Sequence, residues 1–266
     1  MKMCKGGKCA ATLAPEDVDV VLIRESGDVV PCGTTHVYIH KCALWPVELP
    51  PTVESIGLVV HDDGVPDALL AFLETTDAIR AVQIECDFHV KRAGVLGRQL
   101  LRRVSRNAGI TDLALIGVYP DELPGDAFVM PAITRLLVRD GFGRDIAGIY
   151  FTMFPLLVSF ESLRDGTGDD WCPDAETYRA IDAMATLDVV RGICVTSQDQ
   201  SRAFCAWVEH TRVGEIDVQF KSYDDDDDEE DEDEWKQTSV AVAMRNAGIR
   251  QLDVDGVEQF SHHLLK

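Results

Sequence analysis

Ala108-Gly109-Ile110-Thr111-Asp112-Leu113-Ala114-Leu115 decides the fold, because the chain keeps rewriting it. Near the C-terminus the phrase returns as Asn246-Ala247-Gly248-Ile249-Arg250-Gln251-Leu252-Asp253-Val254. Each copy holds an apolar residue and then two more, three and five positions on, except that the second copy opens on Thr34. That spacing predicts a short alternating strand entered from a turn. The triplet falls on Val18/Val21/Ile23, Thr34/Val37/Ile39, Val53/Ile56/Leu58, Ile79/Val82/Ile84 and Ile110/Leu113/Leu115, then on Ile146/Ile149/Phe151, Val190/Ile193/Val195, Val213/Ile216/Val218 and Ile249/Leu252/Val254. Nine such copies point to a stacked array in which each unit touches its neighbours.

What lies between the copies differs along the chain. The first three are too close for a full helix, so their returns are extended or single-turn. The Pro-rich stretch from Cys42 to Pro51 fits that role, because prolines fix an extended backbone. From Val53 on, the spacing admits helices. Apolar periodicity predicts them over Pro66–Thr75, Ala93–Ala108, Met130–Asp140, Ala175–Leu187, Ser201–Glu209 and Thr238–Ala247. The organisation expected is a flexible N-terminal arm over 1–16 and a repeat domain over 17–266. That domain carries a loop insert at 155–174 and an acidic insert at 223–235.

The pattern resembles leucine-rich repeats, whose signature is L-x-x-L-x-L-x-x-N/C-x-L. Thr34-Thr35-His36-Val37-Tyr38-Ile39-His40-Lys41-Cys42-Ala43-Leu44 meets it apart from its first position. Glu48-Leu49-Pro50-Pro51-Thr52-Val53 looks like the joint of short Pro-type repeats, and the later units are similar to the ribonuclease-inhibitor type. The resemblance implies an α/β solenoid, with a parallel sheet on the concave face and helices or extended returns on the convex face. The asparagine or cysteine position is met by Cys42 alone, so the turns of the other units must be satisfied in another way. An ordinary α/β sheet with helices on one or both faces is the alternative architecture.

Composition narrows the function. The net charge is −21, and the unbroken run of eleven acids from Asp224 to Glu234 supplies about half of it. Such a balance disfavours nucleic acid and anionic membrane, which call for basic patches, and permits basic protein partners. There is no apolar leader and no run long enough to span a membrane, and eight cysteines without a leader read as reduced thiols. A cytoplasmic or nuclear monomer is expected.

No motif calls for catalysis. The chain lacks G-x-x-x-x-G-K-[ST] and G-x-S-x-G. Four residues separate Cys4 from Cys9 and three separate His36 from His40, but the histidines fall on a predicted strand and the cysteines, Cys32 and Cys42 included, read as scattered. His61-Asp62 lacks further histidines, so neither metal nor cofactor is expected. The leading reading is a non-enzymatic module that binds a protein on the outward side of its sheet, through Tyr38, His40, Gln83, Glu85, Tyr150, Asp217, Asp253 and Asp255. A second reading is an acidic, chaperone-like binder of basic proteins that uses the run containing Asp224, Asp228, Glu230 and Glu234. The resemblance also admits a substrate adaptor of a ubiquitin ligase.

Overall fold

The computed structural model describes residues 3–4, 20–61, 63–86, 93–118, 129–139, 151–163, 170–221 and 229–255. The chain forms two compact units. One is Met1–Gly141 with Thr152–Leu157, and the other is Phe142–Phe151 with Val158–Lys266. Both are α/β, and in both the strands lie side by side in the order of the chain.

The first unit holds β1 (Met3–Cys4), β2 (Val20–Ile23), β3 (His36–Ile39), β4 (Ser55–Val60), β5 (Ala81–Cys86), β6 (Asp112–Ile116) and β7 (Arg135–Arg139). Two residues of the N-terminal arm thus form β1, antiparallel to β2, and every later neighbour is parallel. The second unit holds β8 (Ser159–Ser162), β9 (Val189–Val195), β10 (Glu215–Phe220) and β11 (Gln251–Asp255), all parallel. Helices α1 (Asp67–Thr75) and α2 (Ala93–Val104) belong to the first unit. Helices α3 (Ala175–Ala183), α4 (Gln198–Val208) and α5 (Glu229–Ala243) belong to the second. Between β3 and β4 the return is only the 3-10 turn Cys42–Leu44, as the short spacing required.

Like residues stand abreast. Val37, Ile56, Val82, Leu113 and Leu136 share one row, and Ile39, Leu58, Ile84, Leu115 and Val138 the next. All ten are buried, each contributing roughly 1.5–3 kcal/mol against the cost of ordering the chain. Five strands, β3, β4, β6, β7 and β11, are entered through a tight turn: Thr34 N donates to Pro31 O, Val53 N to Pro50 O, Ile110 N to Asn107 O, Ile133 N to Met130 O and Ile249 N to Asn246 O. One carbonyl at each entry then accepts two successive amides of the next strand. Thr35 O serves Glu54 and Ser55, Glu54 O serves Arg80 and Ala81, and Arg80 O serves Thr111 and Asp112. In the second unit Asp188 O serves Gly214 and Glu215, and Gly214 O serves Arg250 and Gln251. The repeated phrase in the sequence is this entry turn together with its carbonyl.

The helices cover the anchor face. α2 packs on β4 and β5, and a Cβ added to Gly97 would stand 3.1 Å from Cys86 Sγ, which shares the anchor face with Val82 and Ile84. Leu100, Leu101 and Val104 of α2 are buried, as are Leu69, Leu70 and Leu73 of α1. In the second unit α4 packs on β9 and between α3 and α5. An aromatic group fills this layer, with Tyr178 stacked on Trp207 at 4.7 Å and Phe204 edge-on to Phe220. Asp174 caps α3 by accepting from Glu176 N and Thr177 N, and Ser197 caps α4 by accepting from Gln200 N.

Side chains satisfy the turns at Cys42, Asn107 and Asn246. Cys42, the residue matching the N/C position, donates its thiol to Val59 O of the following strand, and burial pushes that thiol up to about 12. Elsewhere the work falls to asparagines at the helix ends. Asn107 Nδ2 donates to Leu73 O and Thr76 O behind α1, while its Oδ1 accepts from Gly109 N. Asn246 does the same for Val208 O, Thr211 O and Gly248 N. This explains why both copies of the phrase open on Asn-Ala-Gly-Ile.

Four sequence expectations are corrected. The helix expected over Met130–Asp140 contains β7 instead, with Leu136, Leu137 and Val138 all buried. The copy therefore sits on Ile133/Leu136/Val138 rather than Ile146/Ile149/Phe151, whose first two members lie outside the described residues. The expected loop insert at 155–174 contains β8, with Phe160 and Ser162 inward. In β9 the register shifts, so that Val190 meets Ile216 and Ile193 meets Val218. The bulge lies at Gly192, whose φ of +83° and close approach to Ser162 O exclude a side chain. Finally, the helix expected over Thr238–Ala247 starts earlier, so the end of the acidic run, 229–234, is helical backbone.

Candidate functional site

Residues between the anchors face away from the helices, and the two units treat them differently. In the first unit this face is largely internal. Leu22, Val59, Gln83, Ala114, Ile116 and Leu137 are all buried, so β4 to β7 are buried on both sides, the usual condition of a parallel sheet. Tyr38, expected on an open surface, is 8% exposed and packs with Val20, Leu22 and Val59. Its ring crosses β4 over Gly57, where an added Cβ would meet Tyr38 Cδ2 at 2.4 Å. The hydroxyl then donates to Glu85 Oε2 at 2.5 Å, two strands away. Tyr38, Gly57 and Glu85 are therefore one packed unit, and Gln83 is covered beside them.

His40 alone of the first-unit candidates is exposed. It lies just past the end of β3, edge-on to His61 at 5.6 Å, and His61 Nε2 donates to His40 O. Partial burial, then the positive charges of His61, Lys41 and Arg24, hold the His40 imidazole below its ordinary pKa. Among the described residues no group of His, Cys, Asp and Glu could hold a metal ion.

In the second unit β10 and β11 leave their outward residues half-buried or exposed. On β10 the inward Ile216, Val218 and Phe220 are buried, whereas Glu215, Asp217 and Gln219 are half-buried. On β11 the outward Gln251, Asp253 and Asp255 are exposed. Rows across the sheet set Asp217 beside Asp253, Gln219 beside Asp255, and Glu161 beside Arg191. Arg191 Nη2 donates to Glu215 Oε2 at 3.3 Å, and Asp217 Oδ2 accepts from Gly192 N at 3.0 Å. Gln251 Nε2 donates to Asp253 Oδ2 at 2.8 Å. At the rim, Arg250 grips Asp188 with both terminal nitrogens, and this guanidinium holds the Asp188 carboxyl below its ordinary pKa. The face thus carries the carboxylates of Glu161, Glu215, Asp217, Asp253 and Asp255, with Arg191 and the rim residue Arg250 both beside Glu215.

Sequence reading named Asp217, Asp253 and Asp255 on this face but missed Glu161, Arg191 and Glu215. Glu161 was missed because β8 was taken for loop; the alternation Leu157, Ser159-Phe160-Glu161 was the available signal. Tyr150, Asp224 and Asp228 lie outside the described residues. Glu230 and Glu234 fall on the backbone of α5. Comparison of the chain with family models, curated proteins and solved structures gave no match in any of the three.

Proposed function

We propose that the chain is a non-enzymatic interaction module of leucine-rich-repeat-like construction. In this reading, the outward face of its C-terminal unit holds a basic segment of another protein. The observation that carries this is the row of exposed or half-exposed carboxylates on β8, β10 and β11, which outnumber the guanidinium groups of Arg191 and Arg250 drawn to Glu215. Carboxylates fixed on adjacent strands attract and orient a cationic chain without needing to reorganise. Sequential strand order, repeated entry turns and the Cys42 thiol on the next strand support the repeat construction. The first unit, its outward face already packed by Tyr38 and Gln83, serves as scaffold.

Calorimetric titration with a short arginine-rich peptide tests this. The triple variant Glu161→Gln/Asp253→Asn/Asp255→Asn removes three exposed or half-exposed charges. At about 0.5–1 kcal/mol each, binding should weaken by about tenfold or more. Deleting 224–234 should change affinity by less than about threefold. The reverse pattern, with binding lost on deletion and kept in the triple variant, would move the function to the acidic run.

A further inference from the structure

The second unit holds two cysteines, Cys172 and Cys194, on neighbouring stretches of backbone. Cys194 is buried near the end of β9, and its amide donates to Trp171 O at 2.8 Å. That bond lays the stretch 170–172 alongside β9 at roughly the 4.8 Å spacing of neighbouring strands. Disulfides bridge Cα atoms about 4.4–6.8 Å apart, so the backbone is already placed for one. The two thiols are hydrogen-bonded to each other. Both sides of the link are anchored. Trp171 is buried edge-on against Phe160, and Asp170 is paired with Lys221, which follows β10.

We propose that Cys172 and Cys194 are a redox pair, converted to a disulfide by a hydroperoxide that reaches Cys172. Access assigns the order of events, because Cys172 is half-exposed and Cys194 is enclosed. Its hydrogen bond with Cys172, then burial, hold the Cys194 thiol far above its ordinary pKa, so Cys172 leads. Cys172 sulfur attacks the peroxide, an S–O bond forms and the O–O bond breaks, and water or an alcohol departs. Cys194 sulfur then attacks the sulfenic sulfur, the S–S bond forms, the S–O bond breaks, and hydroxide leaves with the Cys194 proton as water. Two thiols and one peroxide give one disulfide, one alcohol or water, and one water. The buried Tyr178 hydroxyl, which has no hydrogen-bond partner, lies close enough that both sulfurs raise its pKa, after burial itself.

The full chain is reduced, treated with a few-fold excess of hydrogen peroxide, quenched with N-ethylmaleimide and peptide-mapped. A Cys172–Cys194 linked peptide should appear, lighter by about 2 Da than the unlinked pair and reversed by dithiothreitol. In Cys194→Ser, Cys172 should instead be trapped by dimedone as the sulfenic acid. Tryptophan fluorescence establishes that the variant is folded, and the wild-type map stands without it. Two results would overturn the pair: both thiols captured by maleimide while the exposed Cys32 is oxidised, or a link that forms only in urea.

Discussion

Replacing Asn107 by alanine should destabilise the first unit by about 2–4 kcal/mol. The side chain is 8% exposed and makes three hydrogen bonds, to Leu73 O, Thr76 O and Gly109 N, at 2.9, 2.8 and 2.9 Å. Alanine leaves two carbonyls and one amide without partners. A buried polar group so abandoned costs about 1–3 kcal/mol, less where water can reach it. The Leu73 bond is fully buried and the other two partly so, which sets the range. Asn246 makes the same three bonds where the surroundings are open, so Asn246→Ala should cost only about 1–2 kcal/mol. Urea unfolding followed by tryptophan fluorescence measures both, as a lowered midpoint at unchanged slope. The reasoning fails if Asn246→Ala costs as much as Asn107→Ala, because burial is then not what sets the penalty. It fails equally if Asn107→Ala costs under about 0.5 kcal/mol.

Gly57→Ala should cost about 1–3 kcal/mol in the same assay by pushing the Tyr38 ring off β4, and Gly57→Ala/Tyr38→Leu should recover part of it. Gly192→Ala should be more damaging, about 3 kcal/mol or more. Its φ is positive, and the new Cβ meets the Ser162 carbonyl, a backbone atom that cannot swing aside. The Thr177 amide, then other hydrogen bonds at the start of α3, hold the Asp174 carboxyl below its ordinary pKa. The stability it contributes is therefore complete above the ordinary carboxylate range, about pH 4, and is lost as pH falls through the lowered value. Asp174→Asn should keep most of the cap at neutral pH while flattening the acid limb of a stability-versus-pH profile.

The repeat was legible because its cause is local. An entry turn and two inward residues recur with a spacing that survives any change in the connection, and Val37, Ile56, Val82 and Leu113 duly stand in one row. β7 was misread because a strand buried on both faces shows no alternation. Leu136-Leu137-Val138 followed by Gly141 reads equally well as a helix and its stop. The β9 register was hidden by a bulge, since one extra residue at Gly192 moves the pairing without altering the apolar count. Tyr38, Gln83, Asp217, Asp253 and Asp255 lie on the side their alternation gives, but burial of that side depends on distant chain. Nothing in Tyr38 alone shows that Gly57 leaves room for its ring to cross to Glu85. The acids of β10 and β11 were legible because an open edge keeps its period-two pattern, with Gln251, Asp253 and Asp255 exposed between half-buried Leu252 and Val254.

The most direct test of the acidic sheet face is a titration of the isotope-labelled chain with the arginine-rich peptide, followed by amide chemical shifts. The account predicts saturable changes centred on Glu161, Glu215–Gln219 and Gln251–Asp255, weakening as salt is raised. Changes confined to 224–234, or to the first unit around His40, would contradict it.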